Sequence, residues 1–340
     1  MTILFAGGED ADFTSLGSVA VDTATTAARR TSNARCSLKV NSSGAGDGWQ
    51  ALLSAPSASF WFTARSYVFD GAAGYPAVAH AIALVDALGV RRLVLTCNGP
   101  PYSTLGLFNW RLIKLDASGA ATTLVTTTST ISCNALVKFD MFVNYAVTGQ
   151  VQLYLGGTKV IDYSGDVTTN SVSTLAGVIL GQPIASSSFP MYWSEVIAAT
   201  TDTRSLSLAT LPPAAAGNAF TWTGAATDVN EITLDDATQI TSLTAGQLAE
   251  TTVTSASIVG TPGIVAVVVN ARAQKGSTGP QNADLLVRTG GTDYASPDIA
   301  LPASLGRISN VWVSNPATGN AWLASDLTQA GFNVGIKSVA

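Results

Sequence analysis

The sequence is poor in charged residues, histidine and cysteine. Only 11% of its 340 residues are charged, whereas 47% are hydrophobic, and the formal net charge is -5. Intrinsic disorder needs the opposite composition, so we expect a folded chain, and its length is enough for two domains. A nucleic-acid partner is excluded because the sequence has no basic patch that would neutralise phosphates.

The single histidine and the three cysteines limit the available chemistry. His80 alone would have to support any histidine-ligated zinc site or Ser-His-Asp triad, and between two alanines we interpret it as structural. Cys36, Cys97 and Cys133 are odd in number and form no C-x-x-C pair. They exclude a disulfide framework and predict free thiols in a protein that is assembled in a reducing cytoplasm.

No segment has the pattern of a secretion signal or a membrane span. The first ten residues lack a basic region, and the long uncharged stretches 117–137 and 251–271 are interrupted by serine and threonine or by Pro262-Gly263. We therefore expect a soluble protein with no membrane insertion.

Alternation with a period of two predicts β-strands along most of the chain. The turn D-A-x-G occurs twice between apolar runs, at 86–89 and 116–119, and Gly156-Gly157 separates two further alternating runs. Aspartate accepts backbone hydrogen bonds in such turns and glycine takes the positive φ, so each pattern predicts a β-hairpin. A short helix over 76–88 is the alternative, and the recurrence of the turn favours the hairpin.

These patterns predict an all-β protein of two domains. We expect an antiparallel jelly-roll β-sandwich over residues 1–205, followed by a smaller C-terminal β-rich domain over 218–340 that serves assembly or attachment. The intervening residues 206–217 contain the run Leu211-Pro-Pro-Ala-Ala-Ala-Gly217 and are predicted to be a linker.

Two sets of segments resemble known families. Phe60–Arg65, Val137–Asp140 and Gly149–Val160 are similar to the strands and hairpin of concanavalin-like jelly rolls of the laminin-G and pentraxin kind. Tyr192–Arg204 and the tail 315–337 resemble segments of structural proteins of tailed bacteriophages.

The second resemblance implies a non-enzymatic structural component of a tailed-phage particle, in a capsid decoration, neck, collar, tail or fibre. Its location would be the virion, assembled in the host bacterial cytoplasm, and its partners would be copies of itself, as a homotrimer, and other virion proteins. The alternative is a carbohydrate-binding, receptor-recognition module of a tail fibre that contacts a host-surface glycan. We disfavour a third hypothesis, a glycan-degrading enzyme, because the paired carboxylates of glucanase relatives, E-x-D-x-(x)-E, are absent and Glu195 has no carboxylate at i+2.

The sequence therefore predicts no catalytic residue and no cofactor. Calcium is the one metal to consider, since oxygen ligands cluster in one loop, although a solvated loop is the preferred interpretation. The candidate ligands are Asp228, Glu231, Asp235 and Asp236.

Aromatic residues supply the candidate contact sites, because exposed Trp and Tyr stack on sugars and dominate protein interfaces. The candidates for contact with a glycan or partner are Tyr102, Tyr192 and Trp193. In the C-terminal domain, which we expect to be too small to bury them all, the candidates for an oligomer interface are Trp312, Trp322 and Phe332.

Overall fold

The structure is a computed structural model of the full chain, and it divides into two compact units, Met1–Leu208 and Ala209–Ala340. The residues that it describes are 1–23, 34–40, 46–68, 77–99, 105–132, 135–169, 172–181, 191–254, 258 and 262–340.

The first unit is built from antiparallel strands in two sheets. Its strands are β1 (Ile3–Gly7), β2 (Thr14–Leu16), β3 (Val19–Asp22), β4 (Ser37–Val40), β5 (Gly48–Ser57), β6 (Ser59–Val68), β7 (Ala77–Val85), β8 (Arg91–Gly99), β9 (Leu105–Leu115), β10 (Ala121–Ser132), β11 (Ala135–Asn144), β12 (Gly149–Leu155), β13 (Thr158–Gly165), β14 (Leu175–Gly181) and β15 (Met191–Ala199). Sheet A has the order β13-β12-β11-β6-β15-β4-β3, with β1 also paired to β15, and sheet B has the order β10-β9-β8-β7-β14-β5-β2.

The two sheets pack face to face over one apolar core. Strand β12 shows how the sequence produces this, because its residues alternate strictly between buried and half-buried positions. Phe62, Phe139 and Trp193 of sheet A meet Trp110 and Leu112 of sheet B in this core. The predicted antiparallel β-sandwich is thus confirmed.

The three predicted hairpins are also present. Asp86 and Asp116 each accept hydrogen bonds through Oδ1 from the amides two and four residues ahead. Gly89 and Gly119, which end these turns, have φ of 75° and 83°, values that glycine adopts without steric cost. The alternative helix over 76–88 is wrong, since Ala77–Val85 is a strand.

The second unit is smaller and also consists mainly of strands. Its elements are β16 (Pro213–Phe220), β17 (Leu248–Val253), β18 (Val267–Ala273), β19 (Asn282–Thr289), β20 (Thr292–Ala295), β21 (Ile299–Ala300), β22 (Gly306–Trp312), α1 (Ala324–Thr328) and β23 (Asn333–Val339). Sheet C has the order β16-β17-β23-β19-β20, with β21 on β19, and sheet D pairs β18 with β22. The prediction of a linker over 206–217 is wrong in its second half, because Pro213 begins a strand that pairs with β17.

Two of the three residues predicted for an oligomer interface belong to the core of this unit. Trp322 and Phe332 are only 1% and 3% exposed, and their rings make an edge-to-face contact with centroids 6.2 Å apart. Trp322 Nε1 also donates a hydrogen bond to the Trp312 carbonyl at 2.8 Å. The expectation that the domain is too small to bury these rings was therefore wrong. Trp312 itself is half-buried against the same core, and its role in an interface stays a prediction.

Other sequence expectations concern thiols and membranes. Cys36 and Cys97 are buried thiols, whereas Cys133 lies outside the described residues. Within the described ranges, no helix is long and apolar enough to cross a membrane.

Candidate functional site

The outer face of sheet A carries a row of aromatic side chains that point away from the core. On β6, β11 and β12 the core residues alternate with outward ones, and Trp61, Phe142 and Tyr154 are three of the outward aromatics. Register brings them together: Trp61 lies opposite Phe142, and Phe142 lies opposite Gln152, two residues before Tyr154. All three residues are half-buried.

We call Trp61, Phe142 and Tyr154 the aromatic platform. The centroid of the Trp61 ring is 5.2 Å from that of Phe142 and 6.1 Å from that of Tyr154, with planes inclined by 37° and 31°. The Arg204 guanidinium lies over the rings of Trp61 and Tyr154, 4.8 Å from the Trp61 centroid and 4.6 Å from the Tyr154 centroid. Such cation–π contacts orient the arginine, whose Nε and Nη2 donate hydrogen bonds to Asp202.

A polar rim of planar side chains borders this platform. Gln152 Nε2 donates to Asp162 Oδ1 at 3.1 Å, and Gln152 Oε1 accepts a hydrogen bond from the Tyr154 hydroxyl at 3.0 Å. Gln150 Nε2 also approaches Asp162 Oδ1, and Lys159 pairs with the second oxygen of Asp162. We call Gln150, Gln152 and Asp162 the amide rim; its side chains are held in place before any ligand arrives.

Residues 200–208, the connector, run across the same face and are anchored to it. Lys138 Nζ donates to the carbonyls of Arg204 and Leu206 at 2.5 and 3.1 Å. Thr63 Oγ1 donates to Asp140 at 2.6 Å and contacts Thr203 Oγ1 at 2.5 Å. Burial raises the pKa of Asp140, although the hydrogen bond from Thr63 and the charge of Lys138 oppose this. These contacts fix the connector, and with it Arg204.

Glu195 is held in an unusual conformation nearby. It has φ of 52°, the one positive value among non-glycine residues in the described part of the chain, and it lies in a bulge of β15. Its carboxylate accepts a hydrogen bond from Arg65 Nε at 2.9 Å. Burial raises the pKa of Glu195, and the hydrogen bond and charge of Arg65 oppose the rise. This carboxylate therefore serves an ion pair inside the fold.

The structure does not place the predicted contact residues on the surface. Tyr192 and Trp193 are 3% and 0% exposed, and every residue of β15 is buried. Trp193 points into the core between the sheets, while Tyr192 on the other face packs edge-to-face against Tyr67. Both predictions were wrong because β15 is a central strand covered on both faces. Tyr102 lies outside the described residues.

The predicted calcium ligands are separated among loop contacts. Asp236 pairs with Arg272 at 3.0 Å, and Asp228 accepts a hydrogen bond from the Ala225 amide. Glu231 accepts hydrogen bonds from the Asp235 amide and from a threonine hydroxyl. No group of three acidic, histidine or cysteine side chains with metal-binding geometry occurs among the described residues. The four residues are not brought together as a metal site.

A second acidic group, near the N-terminus, includes a buried carboxyl. Asp12 accepts hydrogen bonds from the Gly8 and Glu9 amides, and Glu9 Oε1 lies 3.2 Å from Arg35 Nε. Burial raises the pKa of Glu9 to about 7; the charge of Arg35 opposes the rise, and those of Asp12 and Asp10 add to it. The folded state therefore retains a proton on Glu9 well above the pKa of 4.5 that is ordinary for glutamate.

Replacing Glu9 with glutamine should make stability less dependent on pH. Between pH 4.5 and about 7 the folded wild type binds more protons than the unfolded chain, so its stability falls as pH rises through this window. The variant lacks this titration, so its free energy of unfolding relative to that of wild type should rise by about 1–3 kcal/mol from the acidic end of the window to the neutral end. Urea unfolding at both ends tests this. Glu231→Gln, the same change in a loop of the second unit, is the control; equal behaviour of the two variants would contradict the prediction.

The sequence did not predict the aromatic platform or the amide rim, although strand alternation indicates part of the platform. Alternation in β6, β11 and β12 identifies Trp61, Phe142 and Tyr154 as outward residues once the core parity of each strand is set. No sequence pattern shows that these strands are neighbours in this register, or that Arg204 lies over two of the rings.

Comparisons with known proteins add little beyond the strand arrangement. No family model matches the chain, and no curated protein matches its sequence. Similar solved structures include an endo-beta-1,4-glucuronan lyase from the fungus Trichoderma reesei, with 11% identity, a TM-score of 0.40, and coverage of 54% of this chain and 87% of the other. The alginate lyase Aly36B has 11% identity, a TM-score of 0.33, and coverage of 51% and 82%. The carbohydrate-binding module CBM66 from Bacillus subtilis has 19% identity, a TM-score of 0.33, and coverage of 54% and 93%.

Proposed function

We propose that the first unit is a glycan-binding module whose contact surface is the aromatic platform with its amide rim. The observation that carries this proposal is the placement of three partly exposed aromatic rings beside an ordered row of amides and a carboxylate. A sugar ring presents an apolar C–H face and a hydroxyl edge. The aromatic surface that Arg204 does not cover suits the first, and planar amides and carboxylates suit the second.

We propose binding without turnover. Hydrolysis and elimination both need an acid or base that is free to reach the substrate. The buried carboxyls of this face do not reach the surface, since Asp140 and Glu195 are only 2% and 3% exposed and are hydrogen-bonded inside the fold to Thr63 and Arg65. The connector also crosses this region through the contacts of Lys138.

Replacing Trp61 with alanine should weaken polysaccharide binding at least tenfold, about 1.4 kcal/mol, because the central ring of the platform is lost. Gln152→Ala should weaken binding less, since it removes one member of the rim. Affinity electrophoresis in gels that contain polysaccharide measures both effects, and the same incubations should release no reducing ends.

The matched control is Trp222→Ala, which removes a half-buried tryptophan from the second unit, where its Nε1 donates to the Gln247 carbonyl. It should bind like wild type. Equal binding by Trp61→Ala and wild type would refute the proposal, and release of reducing ends by the wild type would refute its non-enzymatic part. Circular dichroism shows whether each variant is folded.

Assembly through the same surface is the second candidate, because Trp, Tyr and Arg are the residues that most often dominate protein interfaces. Under this hypothesis Trp61→Ala would lower the sedimenting mass of the purified protein, and the wild type would not bind polysaccharide. A structural role in a tailed-phage virion, with self-association as a trimer, stays a proposal that rests on the sequence resemblance alone. Mass spectrometry of purified particles and sedimentation of the full chain test these two parts.

A further inference from the structure

The charges that border the platform are balanced one by one. Arg204 forms a two-point contact with Asp202, with Nε at 2.9 Å and Nη2 at 2.6 Å from Oδ2 and Nε also at 3.0 Å from Oδ1. Lys159 pairs with Asp162 at the amide rim. Each of these two exposed cations thus has a carboxylate partner.

The cations under the connector are balanced in the same way. Lys138 Nζ lies 3.5 Å from Asp140 Oδ1, and Arg65 Nε lies 2.9 Å from Glu195 Oε2. The chain as a whole carries a formal net charge of -5. A polyanion that approached the platform would meet no uncompensated positive charge among these residues, and it would be repelled at long range.

We infer that the glycan bound at the aromatic platform is an uncharged polysaccharide chain, and that polyuronates are excluded. This inference rests on the proposed glycan-binding function. The hydrogen bonds from Lys159 to Asp162 and from Arg204 to Asp202 hold the pKa of each carboxyl below its ordinary value. Both carboxylates therefore stay ionised throughout the neutral range, and their repulsion of an acidic sugar persists there.

The ion pairs also have a positive role for a neutral ligand. Asp162 holds the amides of Gln150 and Gln152 on one side of the platform, and Asp202 holds the guanidinium of Arg204 over the rings. Carboxylates and guanidinium groups that are fixed in this way present acceptors and donors to hydroxyl groups with little loss of side-chain entropy on binding.

The test compares neutral and acidic polysaccharides. Wild type should be retarded in gels that contain at least one of dextran, mannan or β-glucan, and Trp61→Ala should remove that retardation. Alginate and polygalacturonate should bind at least tenfold more weakly than the best neutral polymer. Retardation by a polyuronate that depends on Trp61 would overturn this inference and leave the proposed function standing, whereas no retardation by any polymer would overturn both.

A charge variant tests the electrostatic cause. Asp162→Asn keeps the shape of the side chain and releases the charge of Lys159, so binding to alginate should rise about fivefold at low ionic strength and return to the wild-type level near 1 M salt. Asp166→Asn is the matched control, because it changes the net charge equally and releases Lys114 on sheet B. Equal behaviour of these two variants would contradict the role of the rim charge.

Discussion

Replacing Asp86 with alanine should lower the free energy of unfolding of the first unit by about 3–5 kcal/mol, because it leaves a buried arginine without its counter-charge. Arg92 Nε and Nη2 donate to Asp86 Oδ2 at 2.8 and 2.5 Å, and both side chains are almost fully buried. Arg92 lies two residues from Val94 on β8, so it faces the same way as the apolar cluster that contains Val94 and Ile113. Urea unfolding of the full chain measures the loss.

The second copy of the turn supplies the control. Asp116 accepts the same backbone hydrogen bonds as Asp86, but it is exposed and has a serine hydroxyl in place of an arginine partner. Asp116→Ala should therefore cost far less than Asp86→Ala. Similar losses in the two variants would show that the turn, and not the ion pair, provides the stability.

The ion pair also predicts how this stability depends on pH. Burial alone would raise the pKa of Asp86, yet the hydrogen bonds from Arg92, Val90 and Leu88 outweigh it and hold the pKa below the ordinary 3.8. The stabilisation is present above the unfolded-state pKa and is lost as pH falls through the lower folded-state value. The difference between wild type and Asp86→Ala should therefore shrink in acid.

Replacing Trp322 with alanine should destabilise the second unit by about 3–5 kcal/mol, as large-to-small changes at buried tryptophans do. The change removes the edge-to-face contact with Phe332 and the hydrogen bond to the Trp312 carbonyl, and it leaves a cavity in the core of the unit. Limited proteolysis with mapping of the cleavage sites should show new cuts after residue 208 and an unchanged first unit.

Leu323→Ala is the control for this prediction, since the neighbouring side chain is 61% exposed and its loss should change little. Trp322→Phe keeps an aromatic ring and removes the indole donor, so its effect should fall between the two. A Trp322→Ala variant that resists protease like wild type would contradict the assignment of Trp322 to the core.

Short-range signals were sufficient for the predicted hairpins of this protein. The two D-A-x-G turns form as predicted because an aspartate acceptor and a glycine with positive φ act within five residues. Local signals did not predict the burial of single aromatic residues. Tyr192 and Trp193 were expected at a surface because exposed Trp and Tyr stack on sugars and dominate protein interfaces, and the structure buries both.

The sequence by itself determined the all-β class, the hairpins and the presence of a second β-rich region, since alternation and turn chemistry are local properties of the chain. Only the tertiary structure decided which faces are covered. Pairing between distant strands placed Trp61, Phe142 and Tyr154 side by side, and the packing of the second unit enclosed Trp322. Burial depends on what lies against a residue in space, and for these residues the neighbours come from remote parts of the sequence.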